Sequence, residues 1–567
     1  MSQPAPETKA QRAERLKREQ NPWDGLEQIR RFAREGFDAI PPQWKNSYFR
    51  WWGVYTQGDG AGVTGGKGGE GVALPYFMLR IRIPSGMLFS HQLRVIARLS
   101  REHGRGSADI TVRQNIQLHW ITIESLPEAL EALWRCGLNS MGACGDVTRN
   151  ITGCPLSGVD AEEVCDASPL VFRAAAMLVG NPAFYNLPRK YKICITGCRH
   201  WCSYPEINDV GLTALTRERF GGTELGFSLR VAGGLSTDPY LAPRLNAFVT
   251  WDQALPVIRG VTEIFRSADE LREHRERARL KFLFLRHGWT PERFQEELEQ
   301  RIGFRLDAAE AETPPDDLYR DHVGVHAQKQ PGLFFVGASV LRGRISPEQM
   351  EAAADLADQY GSGEIRTTAM QNLVIPNVRE ANVSAVVAGL TAAGLPVEAS
   401  PFHRGVIACT GSEFCKLAIA ETKAFSRWLS EEMEERLPGF DQPLKIHVTG
   451  CPNSCGQHWI ADVGLEAMKV KVDGKLVDAY YFFVGGAVGR QQAVARRTGY
   501  RCAAADAPAA LERLLSRYLA VRQPGENLRQ FFARHEPAEL RTFLAGAPVA
   551  AEARNPSSGP PPAGVGG

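Results

Sequence analysis

The chain has 567 residues, which is too long for one hydrophobic core and predicts several domains. Hydrophobic residues make up 44%, charged residues 23%, and the net charge is +2, which argues against a disordered protein or a bulk nucleic-acid binder. No apolar run follows the basic residues at the N-terminus, so we expect neither a signal peptide nor a membrane anchor, and a cytoplasmic location. There, the twelve cysteines are better explained as buried thiols, metal ligands or redox groups than as disulfides.

The first notable segment is a glycine-rich stretch with a formal G-x-G-x-x-G at Gly60, Gly62 and Gly65. No strand leads into it and no helix follows, so a dinucleotide site is not predicted. Lys67 is followed by Gly68 rather than Ser or Thr, which also argues against a phosphate-binding loop. We expect a flexible surface insertion.

Further along the chain, alternating hydrophobicity predicts half-buried strands over 76–83 and 109–123. Amphipathic periodicity predicts helices over 90–103, 346–360 and 379–394. Residues 271–303 are predicted to be helical and are strongly basic, and residues 307–320, with two prolines and an acidic cluster, are the expected linker.

The two halves of the chain repeat each other. Gln371 and Asn372 of "TAMQNLVIP" lie 257 residues after Gln114 and Asn115 of "VRQNIQLHW", and Cys451 lies 253 residues after Cys198. Several such anchors in the same order indicate a duplication. Each half is predicted to contain a small α+β unit followed by a unit that carries cysteines. The expected boundaries are 21–145 and 146–318 for the first half, 319–398 and 399–545 for the second, with disordered tails at 1–20 and 546–567.

Four cysteines of the second half have the spacing of a metal centre. Cys409 and Cys415 form a C-x5-C pair, and Cys451 and Cys455 form a C-x3-C pair, with 35 residues between the two pairs. Four thiolates brought together by two turns are the ligand set of a [4Fe–4S] cluster. Structural zinc, which prefers C-x2-4-C pairs, and four buried structural thiols are the alternatives.

The first half retains this pattern incompletely. Cys198 and Cys202 repeat the C-x3-C pair, Cys154 is placed at the counterpart of Cys415, and Thr148 is placed at the counterpart of Cys409. A second cluster short of one thiolate is the alternative, but the set is interpreted mainly as a relic of duplication.

Several features occur together in this sequence: the cysteine motifs, the duplication, and the segments "FMLRIR", "GDVTRN" and "NLPRKYK". Together they resemble the sirohaem-containing sulfite and nitrite reductases, in particular the single-chain ferredoxin-dependent assimilatory type. The resemblance runs from about residue 22 to about residue 540. It implies an α+β (mixed α/β) fold in which two ferredoxin-like half-domains form one central domain, flanked by two cofactor-binding α/β domains. It also implies one sirohaem and one [4Fe–4S] cluster that share Cys455, with Cys409, Cys415 and Cys451 completing the cluster.

The resemblance further implies roles for residues outside the cysteine motifs. Basic residues that hold the substrate anion in this family correspond to Arg80, Arg149, Lys190 and Lys192. Segments that contact the sirohaem in relatives correspond to Arg113, Gln114, Asn115, Gln371 and Asn372. His119 is as well explained by a buried, hydrogen-bonded histidine as by a ligand.

The choice of substrate depends on one position. Relatives that use sulfite typically have lysine at the position of Lys192, and those that use nitrite have asparagine, since the dianion sulfite gains more from an extra cation. We therefore expect six-electron reduction of sulfite, with nitrite as the alternative. Some similar sulfite reductases contain a tyrosine–cysteine crosslink. Tyr55 fits the tyrosine, but the cysteine position falls at Val147, so no crosslink is predicted, and Cys144 is expected to lie too far away.

Because no nicotinamide or flavin motif is present, electrons must come from outside. The resemblance implies that the donor is a ferredoxin or a separate flavoprotein. The basic stretches 11–20 and 272–281 are candidate docking surfaces for an acidic ferredoxin. We expect a monomer that binds a small anion and neither nucleic acid nor membrane. Two other classes stay open, a non-haem iron–sulfur electron carrier and a structural zinc protein.

Overall fold

The structure is a computed structural model that describes residues 6–58, 74–219, 221–316 and 320–546. Gly60, Gly62, Gly65 and Lys67 of the glycine-rich stretch lie outside these ranges, as does most of the C-terminal tail. The helices of the first half are α1 (Lys9–Glu19), α2 (Leu26–Glu35), α3 (Pro42–Asn46), α4 (Ser90–His103), α5 (Leu126–Arg135), α6 (Ser168–Leu178), α7 (Ala254–Ser267), α8 (Lys281–Arg286) and α9 (Pro291–Ile302). Its strands are β1 (Val54–Thr56), β2 (Phe77–Ile81), β3 (Met87–Phe89), β4 (Ala108–Ile110), β5 (Ile116–Ile121), β6 (Ile193–Thr196), β7 (Val210–Arg219), β8 (Gly222–Val231) and β9 (Arg244–Thr250).

The second half repeats this order. Its helices are α10 (Pro347–Tyr360), α11 (Val383–Ala392), α12 (Pro401–Gly405), α13 (Lys423–Arg436), α14 (Ala507–Val521), α15 (Leu528–Arg534) and α16 (Pro537–Ala545). Its strands are β10 (Gly324–Ala327), β11 (Leu333–Ala338), β12 (Arg344–Ile345), β13 (Glu364–Thr367), β14 (Leu373–Arg379), β15 (Val406–Ala408), β16 (Ile446–Thr449), β17 (Val463–Val472), β18 (Lys475–Val484) and β19 (Arg496–Ala503).

The two ferredoxin-like units exchange strands. One sheet has the order β1-β2-β5-β4-β12 and the other β10-β11-β14-β13-β3, so each sheet contains one strand from the other half. Arg344 pairs with Asp109, and Arg366 pairs with Met87. Helices α4 and α10 lie against each other, joined at the surface by an ion pair from Arg101 to Glu351 at 2.6 Å. The two units share one hydrophobic core, which confirms the predicted single central domain.

Each half continues into an α/β domain built around a parallel strand pair. In the first, β6 and β7 are parallel, and β7, β8 and β9 are antiparallel. In the second, β15, β16 and β17 are parallel, followed by antiparallel β18 and β19. Each C-x3-C motif directly follows the carboxyl end of a parallel strand, β6 or β16, which is where open α/β sheets bind their ligands.

Most predicted helices are present. Helix α4 covers 90–103 as predicted, and α10 begins after Ser346, whose hydroxyl accepts a hydrogen bond from the Gln349 N–H in a capping box. The predicted strand over 109–123 is two strands, because Gln114 has a φ of 58° and turns the chain between β4 and β5. In the basic segment 271–303, only α8 and α9 are α-helical.

The predicted disordered tail over residues 1–20 requires correction. Helix α1 begins after Thr8, which forms a capping box with Gln11. Lys17 is buried and forms an ion pair with Glu14 at 2.5 Å, and the Tyr48 hydroxyl donates to the Leu16 carbonyl. The sequence pattern missed this helix because its buried face depends on the aliphatic stem of a lysine rather than on an apolar stripe.

Candidate functional site

The structure brings Cys409, Cys415, Cys451 and Cys455 together. Cys409 follows β15, and its thiol accepts a hydrogen bond from the Gly450 N–H at 3.1 Å, next to Cys451. Burial, together with nearby Cys455 and Cys409, raises the pKa of Cys415 to about 12. Burial and the neighbouring Cys455 also raise the pKa of Cys409 and of Cys451. Four thiols in this arrangement can be thiolates together only when a cation lies between them.

Glycines keep the backbone close to these thiols. A Cβ at Gly411, whose φ is +67°, would lie 2.4 Å from the Thr422 hydroxyl oxygen, and a Cβ at Gly456 would lie 2.3 Å from the Val448 carbonyl oxygen. Within the described residues, no three of the four sulfurs lie within 4.8 Å of one another, so the set has room for more than a single ion. Cys455 is exposed while Cys451 is 7% exposed, so Cys455 alone of this C-x3-C pair faces solvent. We call the region between Cys455 and the cations that interact with it, Arg80 and Lys190, the cleft.

Arg80 and Arg149 lie side by side on the first half's side of this cleft. Both guanidinium groups donate to the Ala143 carbonyl, at 3.4 and 3.3 Å, and Arg80 also donates to Gln117 at 2.7 Å. Burial alone would lower the pKa of Arg80, but Cys144, Tyr55 and Cys455 raise it overall. Arg80 therefore lies within electrostatic range of the exposed cluster cysteine.

Lys190 and Lys192 precede β6 in extended chain. Tyr191 between them is buried and stacks on Phe265, so the two lysines are on the opposite, partly exposed side. Neither ammonium group has a hydrogen-bond or ion-pair partner among the described residues. Burial, together with repulsion from other cations, lowers the pKa of Lys190 to about 7 against the attraction of Cys455, and it lowers that of Lys192 well below its usual value. A bound anion would stabilise both ammonium groups, which form no ion pair with the described residues.

Sequence reasoning missed three further cations, of which Arg279 and Arg189 lie within electrostatic range of Lys190. Arg279 forms a buried ion pair with Asp209 at 2.8 Å, and Lys281 donates to the Leu235 carbonyl at 2.7 Å. The pKa of Arg189 is lowered to about 10 by burial and by repulsion from Arg275. Arg279 and Lys281 belong to the basic stretch 272–281, which was expected at the surface; its alternating pattern of arginines did not distinguish an internal segment from a solvated one.

The residues expected to contact the sirohaem are mostly engaged with the protein backbone. Arg113 donates to Asn208 at 2.7 Å and to the Asn150 carbonyl at 2.6 Å, and burial lowers its pKa to about 10. The Gln114 amide donates to the Thr367 carbonyl at 3.2 Å, and Gln371 reciprocally donates to the Ile110 carbonyl at 2.8 Å.

Their neighbours Asn115 and Asn372 are also buried. The side-chain oxygen of Asn115 has no hydrogen-bond partner among the described residues, whereas that of Asn372 accepts from the Val340 N–H at 3.0 Å. The glutamines and Asn372 therefore join the two halves behind the cleft.

Tyr55 has a cysteine neighbour, contrary to expectation. The Cys144 thiol accepts a hydrogen bond from Arg80 at 3.1 Å, and after burial it is the largest influence raising the pKa of Tyr55. Val147, the position used to exclude a cysteine partner, instead packs against Trp23 and Trp51. The thiol close to Tyr55 is therefore Cys144.

A buried charge network supports the loop between Cys409 and Cys415. His119 hydrogen-bonds Asp109 at 2.9 Å and stacks on Phe414 with ring centroids 3.8 Å apart. Arg344 joins Asp109 at 2.8 Å to Glu413 at 3.0 Å. His119 is therefore a buried, hydrogen-bonded histidine that positions the loop.

The hydrogen bonds also correct the correspondence between the two cysteine sets. Gln114 bonds the backbone of Gly153 as Gln371 bonds that of Ala408, so Cys154 is the counterpart of Cys409. The Asp160 N–H donates to the Leu156 carbonyl at 2.9 Å, as the Cys415 N–H donates to that of Gly411, also at 2.9 Å. The first half thus lacks the thiol of Cys415, where it has Asp160, and Thr148 is not the counterpart of Cys409.

Comparison with known proteins agrees with this arrangement. The model of the nitrite and sulphite reductase 4Fe-4S domain matches residues 144–306 and 399–543, and that of the nitrite/sulfite reductase ferredoxin-like half domain matches 74–134 and 326–393. The chain belongs to the nitrite and sulphite reductase family.

Its relatives include both kinds of reductase. A sulfite reductase [ferredoxin] 1 of Mycolicibacterium paratuberculosis is 37% identical over 520 residues, covering 90% of this chain and 92% of the relative. An assimilatory ferredoxin-dependent nitrite reductase of Haloferax mediterranei is 36% identical over 547 residues, covering 91% and 90%. The solved structure of Mycobacterium tuberculosis NirA protein superimposes with a TM-score of 0.88 at 36% identity, covering 93% of this chain and 97% of that one.

The family's cofactors are sirohaem and a [4Fe–4S] cluster, and the residues present fit both. The four thiols accommodate a multinuclear cluster, and the unpaired lysines with the arginines around them suit the carboxylates of a sirohaem. Within the described residues, no helix combines the length and hydrophobicity that a bilayer-spanning segment needs.

Proposed function

We propose that the protein is an assimilatory, ferredoxin-dependent sulfite reductase. The observation that carries this proposal is the group of Arg80, Arg149, Lys190 and Lys192. Arg80 and Lys190 lie within electrostatic range of the exposed Cys455, while Arg149 and Lys192 lie within range of Lys190. Neither a plain iron–sulfur electron carrier nor a structural zinc protein would need two partly buried, unpaired lysines, since each costs desolvation energy unless an anion binds.

Cys409, Cys415, Cys451 and Cys455 are the proposed ligands of the cluster, and Cys455 is the proposed bridge to the haem iron because it alone of its pair opens onto the cleft. Sirohaem, when bound, supplies the iron at which the substrate is reduced and, with the cluster, stores electrons between single-electron deliveries. Arg113, Asn115 and Asn372, with Gln114 and Gln371, are proposed to line or support the haem side of the cleft.

The four cations have distinct proposed tasks. Arg80 and Arg149 offer fixed guanidinium donors that orient a small oxyanion. Lys190, with a pKa near 7, suits proton transfer at neutral pH, because a group with a matching pKa both holds and releases the proton readily. Reduction of sulfite to hydrogen sulfide consumes six electrons and eight protons and yields three waters, so a renewable proton donor at the cleft is required.

Lys192 is the basis for proposing sulfite rather than nitrite. Its lowered pKa disfavours the ammonium form in the empty site, and a bound dianion restores that form more strongly than a monoanion does. Nitrite reduction to ammonia on the same scaffold is the alternative, since relatives of equal similarity bear both names. The electron donor is proposed to be a ferredoxin, as in the names of these relatives, rather than a separate flavoprotein.

Steady-state turnover of sulfite and of nitrite with reduced ferredoxin tests the proposal. We expect kcat/KM for sulfite to exceed that for nitrite, and sirohaem absorption in the purified protein. A preference for nitrite would support the alternative, and absence of sirohaem absorption would contradict both.

A further inference from the structure

A second group of metal-ligating side chains lies in the first half, away from the cleft cysteines. The ligand atoms of Cys154, Cys202 and His322 all lie within 4.8 Å of one another, and all three residues are buried. The Cys198 sulfur lies 3.5 Å from that of Cys202 and also interacts with Cys154 by hydrogen bonding. Two thiols and one imidazole therefore meet at one point, and the Cys198 thiol lies just outside this group, next to the Cys202 thiol.

His322 has no other partner. Its ring is 3% exposed, and neither Nδ1 nor Nε2 has a hydrogen-bond partner among the described residues. A buried imidazole without partners is costly, and most buried polar groups in native proteins avoid it.

The backbone of His322 is also constrained. It has a φ of 62°, a left-handed conformation that a non-glycine residue rarely adopts without a compensating interaction. Gly337 of β11 permits the close approach of this segment, because a Cβ there would lie 1.6 Å from the His322 carbonyl oxygen. The backbone at His322 is thus strained, and its unpartnered imidazole lies within 4.8 Å of the thiols of Cys154 and Cys202.

The spacing of the donor atoms indicates a single ion. Thiolates about 2.3 Å from one tetrahedral ion are about 3.8 Å apart, close to the 3.5 Å between Cys198 and Cys202. A four-iron cluster separates its thiolates further, and the cleft cysteines, no three of which lie within 4.8 Å of one another, have that wider arrangement. In the first half, Asp160 occupies the position that would supply the fourth thiol of a cluster. Its carboxylate accepts hydrogen bonds from both terminal guanidinium nitrogens of Arg320, at 3.0 and 3.2 Å.

We propose that Cys154, Cys198, Cys202 and His322 bind one structural zinc ion. Three cysteines and one histidine form a closed tetrahedral set of the kind that structural zinc uses, and all four side chains are buried, so no position is left for a substrate. Three thiolates on Zn²⁺ leave one negative charge, and Arg320 lies near enough to interact electrostatically with Cys202 and Cys154. This site is separate from the proposed sirohaem centre and does not depend on it.

The ion would join segments that are distant in the chain. His322 belongs to the connection between the halves, whereas the three thiols belong to the first α/β domain. The same connection is already attached nearby, where the Gln330 side chain donates to the Gly158 carbonyl at 2.8 Å and Lys329 pairs with Glu163 at 2.6 Å. Zinc would fix the start of the second half onto the first.

The direct test is zinc analysis of the full-length holoenzyme by mass spectrometry, with X-ray absorption at the zinc edge. We expect about one zinc per chain, coordinated by three sulfurs at about 2.3 Å and one nitrogen at about 2.0 Å. This measurement needs no variant, so a misfolded mutant cannot obscure it. A protein without zinc, or zinc bound only by oxygen and nitrogen, would overturn the proposal.

Variants then locate the ion. Cys202→Ser and His322→Gln should each lose most of the zinc while keeping sirohaem absorption and cluster iron, which also shows that they fold. The matched control is Cys165→Ser, a partly buried thiol of the same domain outside the set, which should keep its zinc. Loss of about four irons with sulfide in Cys202→Ser would indicate a second cluster instead. A disulfide between Cys198 and Cys202, detected by thiol counting, would equally overturn the zinc assignment.

Discussion

The two halves of the molecule place the same C-x3-C turn at the end of the same kind of parallel strand, yet the surroundings differ. After β16, Cys451 is buried and Cys455 is exposed toward the cleft, and the loop from Cys409 adds a thiol at Cys415. After β6, both cysteines are buried and the loop from Cys154 supplies Asp160 instead. Duplication preserved the backbone, and one residue in the supporting loop separates an open site from a closed one.

The two halves also contribute different groups to the proposed reaction. The second half supplies thiolates at the cleft, where electrons would be stored, while the first half supplies the cations that would meet the substrate. In the first half, the ancestral position of the cluster is occupied by a tight group of thiols with no access to the cleft cations. On the proposed assignments, the duplicated turn keeps its backbone while its thiols exchange a redox role for a structural one.

The largest expected difference in turnover between the two halves comes from serine substitutions at equivalent positions of the two C-x3-C turns. Cys455→Ser should reduce sulfite turnover at least about 1000-fold, which corresponds to about 4 kcal/mol, because the proposed bridge between cluster and haem is lost. Cys202→Ser, at the equivalent position, should retain turnover and lose zinc. Full turnover in Cys455→Ser would contradict the bridging role.

The next largest effect is expected from the buried residues that hold the two cysteine loops in place. Asp109 and Arg366 occupy equivalent positions on β4 and β13. Asp109 supports the Cys409–Cys415 loop through Arg344. Arg366 supports the loop after Cys154, where it donates to the Pro155 and Ser157 carbonyls at 2.7 and 2.8 Å. Asp109→Asn should lower the free energy of unfolding by about 3 kcal/mol, because it leaves buried cations without their counter-ion. Arg366→Gln should cost about 2 kcal/mol.

Chemical denaturation measures both changes, and iron and zinc contents show which centre is loosened. We expect iron to fall in Asp109→Asn and zinc to fall in Arg366→Gln. The reverse pattern would show that these two residues do not support the centres assigned to them.

Lys192→Asn tests the substrate preference. It should lower kcat/KM for sulfite about tenfold, or about 1.4 kcal/mol, and leave that for nitrite nearly unchanged, since it removes one cation from the cleft. Lys192→Arg is the matched control, because it keeps the charge. Equal loss for both anions in Lys192→Asn would show that this position does not discriminate between them.

The smallest expected effect is a pH shift. Because the lowered pKa of Lys190 lies near 7, its charged form disappears as pH rises through that value, and KM for sulfite should rise above neutral pH. Bound carboxylates and substrate move the transition upward, since they favour the ammonium form. In Lys190→Arg the charge persists, so the rise in KM should be reduced; an unchanged pH profile would assign the transition to another group.

Much of the fold follows from local patterns. The periodicity over 90–103 predicted α4 to the residue, and the repeated motifs revealed the duplication and the four cleft cysteines. The exchanged strands β3 and β12 could not be predicted, because strands of two or three residues carry no periodicity and depend on partners in the other half. The alignment of the two halves by sequence wrongly placed Cys154 opposite Cys415. Its correspondence with Cys409 becomes visible only through hydrogen bonds to the backbone.

The donor set of the first half shows the same limit. His322 is separated from Cys202 by 119 residues of chain, and a lone histidine in a linker has no spacing that relates it to a cysteine motif. Likewise, Arg279 and Lys281 lie in a charge run that is ordinarily solvated, and only tertiary packing places them inside. Local patterns report elements, whereas sites that join distant segments require the folded chain.

The exchange of β3 and β12 bears on how the protein can be made. During synthesis, β4 of the first sheet has an unpaired edge until Arg344 and Ile345 have left the ribosome, and β3 has no partner until Glu364–Thr367 follow. Open strand edges invite association with other chains. The first half made alone, ending within the linker, would keep that edge permanently, so the nascent chain must be synthesised well beyond its midpoint before either sheet is complete.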